Sequence, residues 1–203
     1  MSGKKAEIKT VSNKVIVSGR LITERERKGG GKIVTIVSKN GKDVFLRFQV
    51  KSNDIIPPHK EHAHVKIVGH IESHTYRDTD KKFKQLQNFI ADEITLSKTM
   101  TEEIFGVKGK FFDYPSCVAY IKGEIKKVTD EDQWVRIVLA VDPDDKQHNT
   151  SIRLSMRKLE RQPELKKGDK ICVVCSINTP RKEVNGKEMY FEDLNISDIA
   201  KIE

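Results

Sequence analysis

Two short stretches place aromatic rings among cations. Phe45, Arg47 and Phe48 share one run, and Tyr76, Arg77, Lys81, Lys82, Phe83 and Lys84 crowd another. A nucleic-acid base offers an apolar face and each link carries an anion, so single-strand sites pair stacking platforms with nearby positive charge. The competing reading of the phenylalanines is core. Phe45 and Phe48 are three residues apart, so in a strand they face opposite ways, and at most one is core and one exposed. A third candidate is the loop around Gly29-Gly30-Gly31, where Arg27, Lys28 and Lys32 supply charge and glycine lets the main chain approach a phosphate. A flexible hairpin tip is its alternative. Arg20 and Lys51 complete the candidate single-strand-binding set.

Other chemistries find less support. Cys172 and Cys175 have the spacing of a metal knuckle, but a structural zinc needs four ligands, and only Cys117 and His148 are plausible additions. Residues three apart on a strand point to opposite faces, which favours buried free thiols. His59, His62 and His64 lie beside Pro57-Pro58 and read as a solvated loop. Asp142-Pro143-Asp144-Asp145 has no downstream Glu to complete a cation loop and reads as a turn. No nucleophile, base and orienting acid recur together, so no enzyme, metal or cofactor is expected. Trp134, the single tryptophan, is open to three readings: stacking platform, protein-contact anchor or core.

The elements that must hold these residues read as strands. Runs at 15–22, 32–37, 44–50, 63–71 and 89–94 are β-type, with a polar hairpin between the last two. Five strands without a long helix suggest a small closed barrel. Runs at 119–125, 134–141, 151–156, 170–174 and 193–199 repeat that order at an offset of about 104–106 residues, which suggests duplication of a domain. The expected organisation is a basic N-terminal arm (1–11), a first barrel (12–98), a linker (99–116) and a second barrel (117–203). Within the linker, Thr101-Glu102-Glu103 suggests the cap of a single helical turn.

Length and charge agree with this division. The chain has 203 residues and a net charge of +8, without a run of apolar residues long enough to span a membrane. Residues 1–100 hold 20 basic and 11 acidic side chains, and residues 101–203 hold 18 and 19. A polyanion would meet two different surfaces. The polar, lysine-rich N-terminus is unlike a secretory signal, and three cysteines cannot all pair within one chain. The expected location is cytoplasmic (host cytoplasm for a viral protein).

Asn13-Lys14-Val15-Ile16-Val17-Ser18-Gly19-Arg20-Leu21 resembles the opening strand of bacterial-type single-stranded DNA-binding proteins. Residues 65–71, Ser73, Tyr76, Asp78, Asp80 and Ala91-Asp92-Glu93-Ile94 resemble that family's fourth strand, long hairpin and fifth strand. The resemblance spans about residues 12–98. It implies the oligonucleotide/oligosaccharide-binding (OB) barrel and sequence-tolerant single-strand binding without catalysis. By the same resemblance, Phe45 falls on the third-strand stacking position and Tyr76 on the hairpin one. A later third-strand aromatic of the family is replaced near Lys51. The second half fits weakly: Ser151 takes the place of Phe45, and Arg181 or Lys182 that of Tyr76. The expected fold is all-β, two tandem five-stranded OB barrels, in a phage or mobile-element protein of replication, recombination or repair. Single-stranded DNA is the expected partner. RNA, a homodimer, and replication or recombination proteins are the alternatives, with Trp134, Arg136, Arg153, Arg181 and Lys182 as second-barrel or partner contacts.

Overall fold

Along residues 44–50 every second side chain is buried, the pattern of a pleated strand with one wet face. The same period recurs in both halves and builds two closed barrels. The structure is a computed structural model that describes all residues except 1–12, 41, 53–54, 78–82, 98–99, 105–106, 112–116, 142–149, 159–163, 185–186 and 203. The first barrel comprises β1 (Asn13–Glu26), β2 (Lys32–Asn40), β3 (Lys42–Val50), β4 (His64–Arg77) and β5 (Phe83–Leu96). They hydrogen-bond in the order β1-β2-β3-β5-β4, and β4 returns to β1 to close the ring. Every pairing is antiparallel except β3 with β5.

A hairpin of β6 (Met100–Ile104) and β7 (Val107–Phe111) follows, where the sequence suggests a helical turn. The expectation fails because no apolar period of 3.6 residues stands behind Thr101, whereas Ile104, Val107 and Phe111 suit a paired ribbon. Next come β8 (Cys117–Asp130), β9 (Trp134–Val141), β10 (Thr150–Arg157), β11 (Lys170–Asn178), β12 (Arg181–Val184), β13 (Lys187–Tyr190) and β14 (Asp193–Ile202). The order β8-β9-β10-β14-β11, closed by β11 on β8, repeats the first barrel's. The fold is therefore all-β, with OB-type barrels.

Irregularities repeat along with the order. A bulge interrupts β1 between Leu21 and Thr23, and another interrupts β8 between Ile125 and Lys127. A second pair falls at Val68/Gly69 in β4 and Val174/Cys175 in β11. Bulges bend strands sharply enough to close small barrels. Gly19, Gly69 and Gly123 mark close crossings: an added Cβ at each would run into a carbonyl oxygen of the facing strand, that of Val37, Ile90 or Ala140.

The two barrels share one sheet. The first residues of β1 pair antiparallel with β8, from Asn13 opposite Ile121 to Val17 opposite Cys117. Val15 faces Ala119, its own counterpart in the repeat, so a local two-fold axis passes between them. Cys117 and Cys175 are buried, and desolvation pushes both thiols up to about 12. Among the described residues no cluster of His, Cys, Asp and Glu could hold a metal, and no helix is long and apolar enough to cross a membrane.

Candidate nucleic-acid interface

On β3 the alternation separates the two phenylalanines. Phe45 is 37% exposed, whereas Phe48 is fully buried, its ring centroid 5.6 Å from that of Phe89. Phe48 is thus corrected from candidate platform to core: the strand's two-residue period turns it inward with Leu46 and Val50. Arg47 points outward beside Phe45. Glu192, from the second barrel, has its carboxyl raised by burial, an effect that Arg47 partly opposes.

The fourth and fifth strands run farther than the sequence suggests. Beyond the point where β5 leaves β3, β4 and β5 continue as a free two-stranded ribbon ending at the Arg77–Phe83 pair. Tyr76 stands on it, 48% exposed, with exposed Arg77 next to it. Lys81 and Lys82 lie outside the described residues, as do the side chains of Phe83 and Lys84. At Ser73, Gln85 and Gln87 the ribbon lies against the second barrel. Ser151 donates its main-chain N–H to Ser73 Oγ at 3.0 Å, and Gln85 Nε2 donates to the Ser151 carbonyl. Arg153 donates through its main-chain N–H to Gln87 and through Nε to Gln85.

The second barrel returns the contact. Phe45 donates its main-chain N–H to Thr179 Oγ1 at 3.0 Å. Phe45 and Ser151 are counterparts in the repeat, and so are Ser73 and Thr179. Each barrel's ribbon therefore grips the other's third strand with the same hydrogen bond. Phe45 keeps an exposed ring on a pinned backbone, while Tyr76 is carried next to β10. Each ring thus stands on an element of the first barrel that hydrogen-bonds to the second: Phe45 on β3 and Tyr76 on the ribbon. Gln85, Gln87 and Thr179 are missed by sequence reasoning, and Ser73 enters it only through the resemblance, because polar residues on a ribbon outside the core leave no apolar period.

Of the remaining cations, Arg20, Arg27 and Lys28 are exposed. Gly29, Gly30 and Gly31 all adopt positive φ in the β1–β2 turn, so this hairpin tip needs glycine. Lys32 is tied to Glu24 at 3.1 Å, and Glu24 also meets His59 Nε2 at 2.8 Å. Lys51 is held by Glu72 at 2.6 Å.

Glu72 and Asp92 flank His70, at 3.4 Å from Nε2 and 2.8 Å from Nδ1. The hydrogen bond to Asp92 raises the His70 pKa against the opposing effect of burial, and both carboxylates' charges add to it. A histidine with a raised folded pKa stabilises fully below its unfolded value near 6.5 and loses that contribution as pH rises through the folded value. Wild type is therefore expected to lose the charge-linked part of its advantage in melting temperature over His70→Gln as pH rises from 6.5 through the raised folded value, an effect worth under about 1 kcal/mol. A gap that stays constant would mean that the imidazole's charge contributes nothing.

In the second barrel, Trp134, Arg136 and Arg153 line a cleft of about 530 Å³. Gln85 and Gln87 of the first barrel's ribbon form one wall, and Phe191 and Asp193 another. Arg136 Nε lies 3.3 Å from Glu131 Oε2, and its Nη1 4.0 Å from Asp193 Oδ1. Arg181 is exposed nearby in sequence, and the Lys182 side chain lies outside the described residues.

Two solved structures share this fold. A deletion mutant of the single-stranded DNA binding protein from Thermus aquaticus superposes with a TM-score of 0.60 at 16% identity, over 94% of each chain. The wild-type protein from the same organism gives 0.55 at 16% identity, over 94% of this chain and 93% of its own. At such identity the likeness is one of fold. No protein-family model matches the sequence, and no curated protein matches it significantly.

Proposed function

We propose that this chain is a sequence-tolerant single-stranded DNA-binding protein of replication, recombination or repair, with no catalysis of its own. The observation that carries the reading is the pair of exposed rings, Phe45 and Tyr76, each beside an exposed arginine in the basic half of the chain. Such rings stack on any base, and Arg47 and Arg77 meet the backbone, which accounts for tolerance of sequence. Arg20, Arg27 and Lys28 extend the basic surface, and Lys81, Lys82 and Lys84 belong to the same hairpin. Lys32 and Lys51, each already paired with a glutamate, are assigned a lesser share. The reading includes a tandem protein made by duplicating one barrel. Its divergent second half is in keeping with a phage or mobile-element source.

The test is binding of the full chain to labelled oligo-dT, the matching RNA and a duplex, each at several salt concentrations. Single strands give a log–log slope of about −0.7 per phosphate neutralised, so roughly four contacts predict a slope of about −3. Oligo-dT is expected to bind tightest. Salt-independent affinity would remove the basic surface from the reading. Preference for RNA would reassign the polymer, and absence of binding to all three would favour a protein-docking adaptor.

A further inference from the structure

The cleft on the second barrel is built differently from the basic face of the first. Two rings, Trp134 and Phe191, line it, and its two arginines, Arg136 and Arg153, are matched by two carboxylates, Glu192 and Asp193. Balanced charge gives little attraction for phosphate, whereas rings and edge-on polar groups suit a neutral planar base. At about 530 Å³ the cleft has the size of a small-ligand site.

Part of its donor set is positioned but unused. Arg153 is anchored to the first barrel's ribbon through its main-chain N–H and Nε. Among the described residues its two terminal nitrogens make no hydrogen bond, and neither does the Trp134 indole N–H. Asp193 is anchored as an acceptor by Ser155 Oγ at 2.9 Å, which fixes its carboxylate at the wall. A guanidinium suits the adjacent O6 and N7 acceptors of guanine, and a carboxylate suits guanine's N2 amino group. Thymine offers no such amino group.

We propose that this composite cleft holds one unstacked guanine base, with Arg153 on its acceptor edge, Asp193 or Glu192 on its amino edge and the Trp134 ring against it. The site exists only where the first barrel's ribbon meets the second barrel, because Gln85 and Gln87 hold Arg153 in place. It adds one base-selective position to an otherwise tolerant surface. In that sense it rests on the single-strand reading above.

Because the chain has a single tryptophan, a ¹⁵N-labelled full-length sample gives one indole N–H resonance. That resonance is to be followed during titration with dGMP and with dTMP, which carry the same phosphate. The expected result is a saturable shift with dGMP at a concentration about tenfold lower than dTMP needs, the discrimination of one good bidentate contact. Arg153→Met is expected to abolish that difference. Equal shifts with both nucleotides, or none with dGMP, would overturn the guanine site, and wild-type oligo-dT binding would then leave the first-barrel reading standing. Loss of oligo-dT binding in the wild type alongside a dGMP-selective shift would instead overturn the single-strand reading and leave the cleft as a nucleotide site.

Discussion

Replacing Phe48 with alanine is expected to destabilise the protein by about 3–5 kcal/mol, the range for deleting a large buried aromatic. Phe48 is fully buried against Phe89, the residue it faces where β3 and β5 close the first barrel in parallel. The lost ring would leave a cavity at the seam of the barrel, where closure rests on three residue pairs, Phe48–Phe89 to Val50–Ala91. Neighbouring strands cannot collapse into that space without breaking the ring of hydrogen bonds. For a chain near 200 residues this loss corresponds to a fall in melting temperature of roughly 6–20 °C. Urea unfolding of the full chain is the direct measurement, and a loss below about 1 kcal/mol would mean that the seam is not close-packed.

Truncating either exposed ring should act on binding instead. Tyr76→Ala and Phe45→Ala each remove a platform worth on the order of 1–3 kcal/mol, a roughly five- to hundredfold loss in affinity for oligo-dT. The Phe45 bond to Thr179 comes from its main-chain N–H, so alanine keeps the grip between barrels while removing the ring. Melting temperature should therefore change little in Phe45→Ala, in contrast to Phe48→Ala three residues along the same strand. Tyr76→Phe serves as the control, since stacking predicts near-normal binding and a hydrogen-bonding role predicts a loss close to that of alanine. Anisotropy titrations at moderate salt would decide. Wild-type affinity in Tyr76→Ala with an unchanged melting temperature would remove the ribbon from the binding surface.

The structure also constrains how such experiments are designed. β1 pairs with β8, and Ser73 and Thr179 bind across the boundary in opposite directions. Cutting the chain near residue 100 would expose the β1 edge and leave both ribbons without their partners. Unpaired edges invite association with other chains. Variants of the full chain are the sounder probes of each barrel.

Sequence by itself determined the local structure. Alternation marked the strands, Gly29-Gly30-Gly31 marked a turn, and the recurrence of the strand order at a nearly constant offset marked the repeat. The same period of two separated Phe45 from Phe48 without deciding which of them faced inward. These features are local because side-chain alternation and positive φ are properties of a few consecutive residues. Tertiary structure alone decided that Phe48 is core, that the ribbon from Ser73 to Gln87 lies on β10, and that Arg153 and Trp134 share a cleft with residues of the other barrel. None of that leaves a periodic signal. Ser73 and Ser151, or Phe45 and Thr179, are polar or mixed pairs far apart in the chain, and their contacts depend on the relative placement of two closed barrels. That placement is set by which edge of β1 meets β8, a choice made by the summed packing of the whole molecule and not by any one residue's preference.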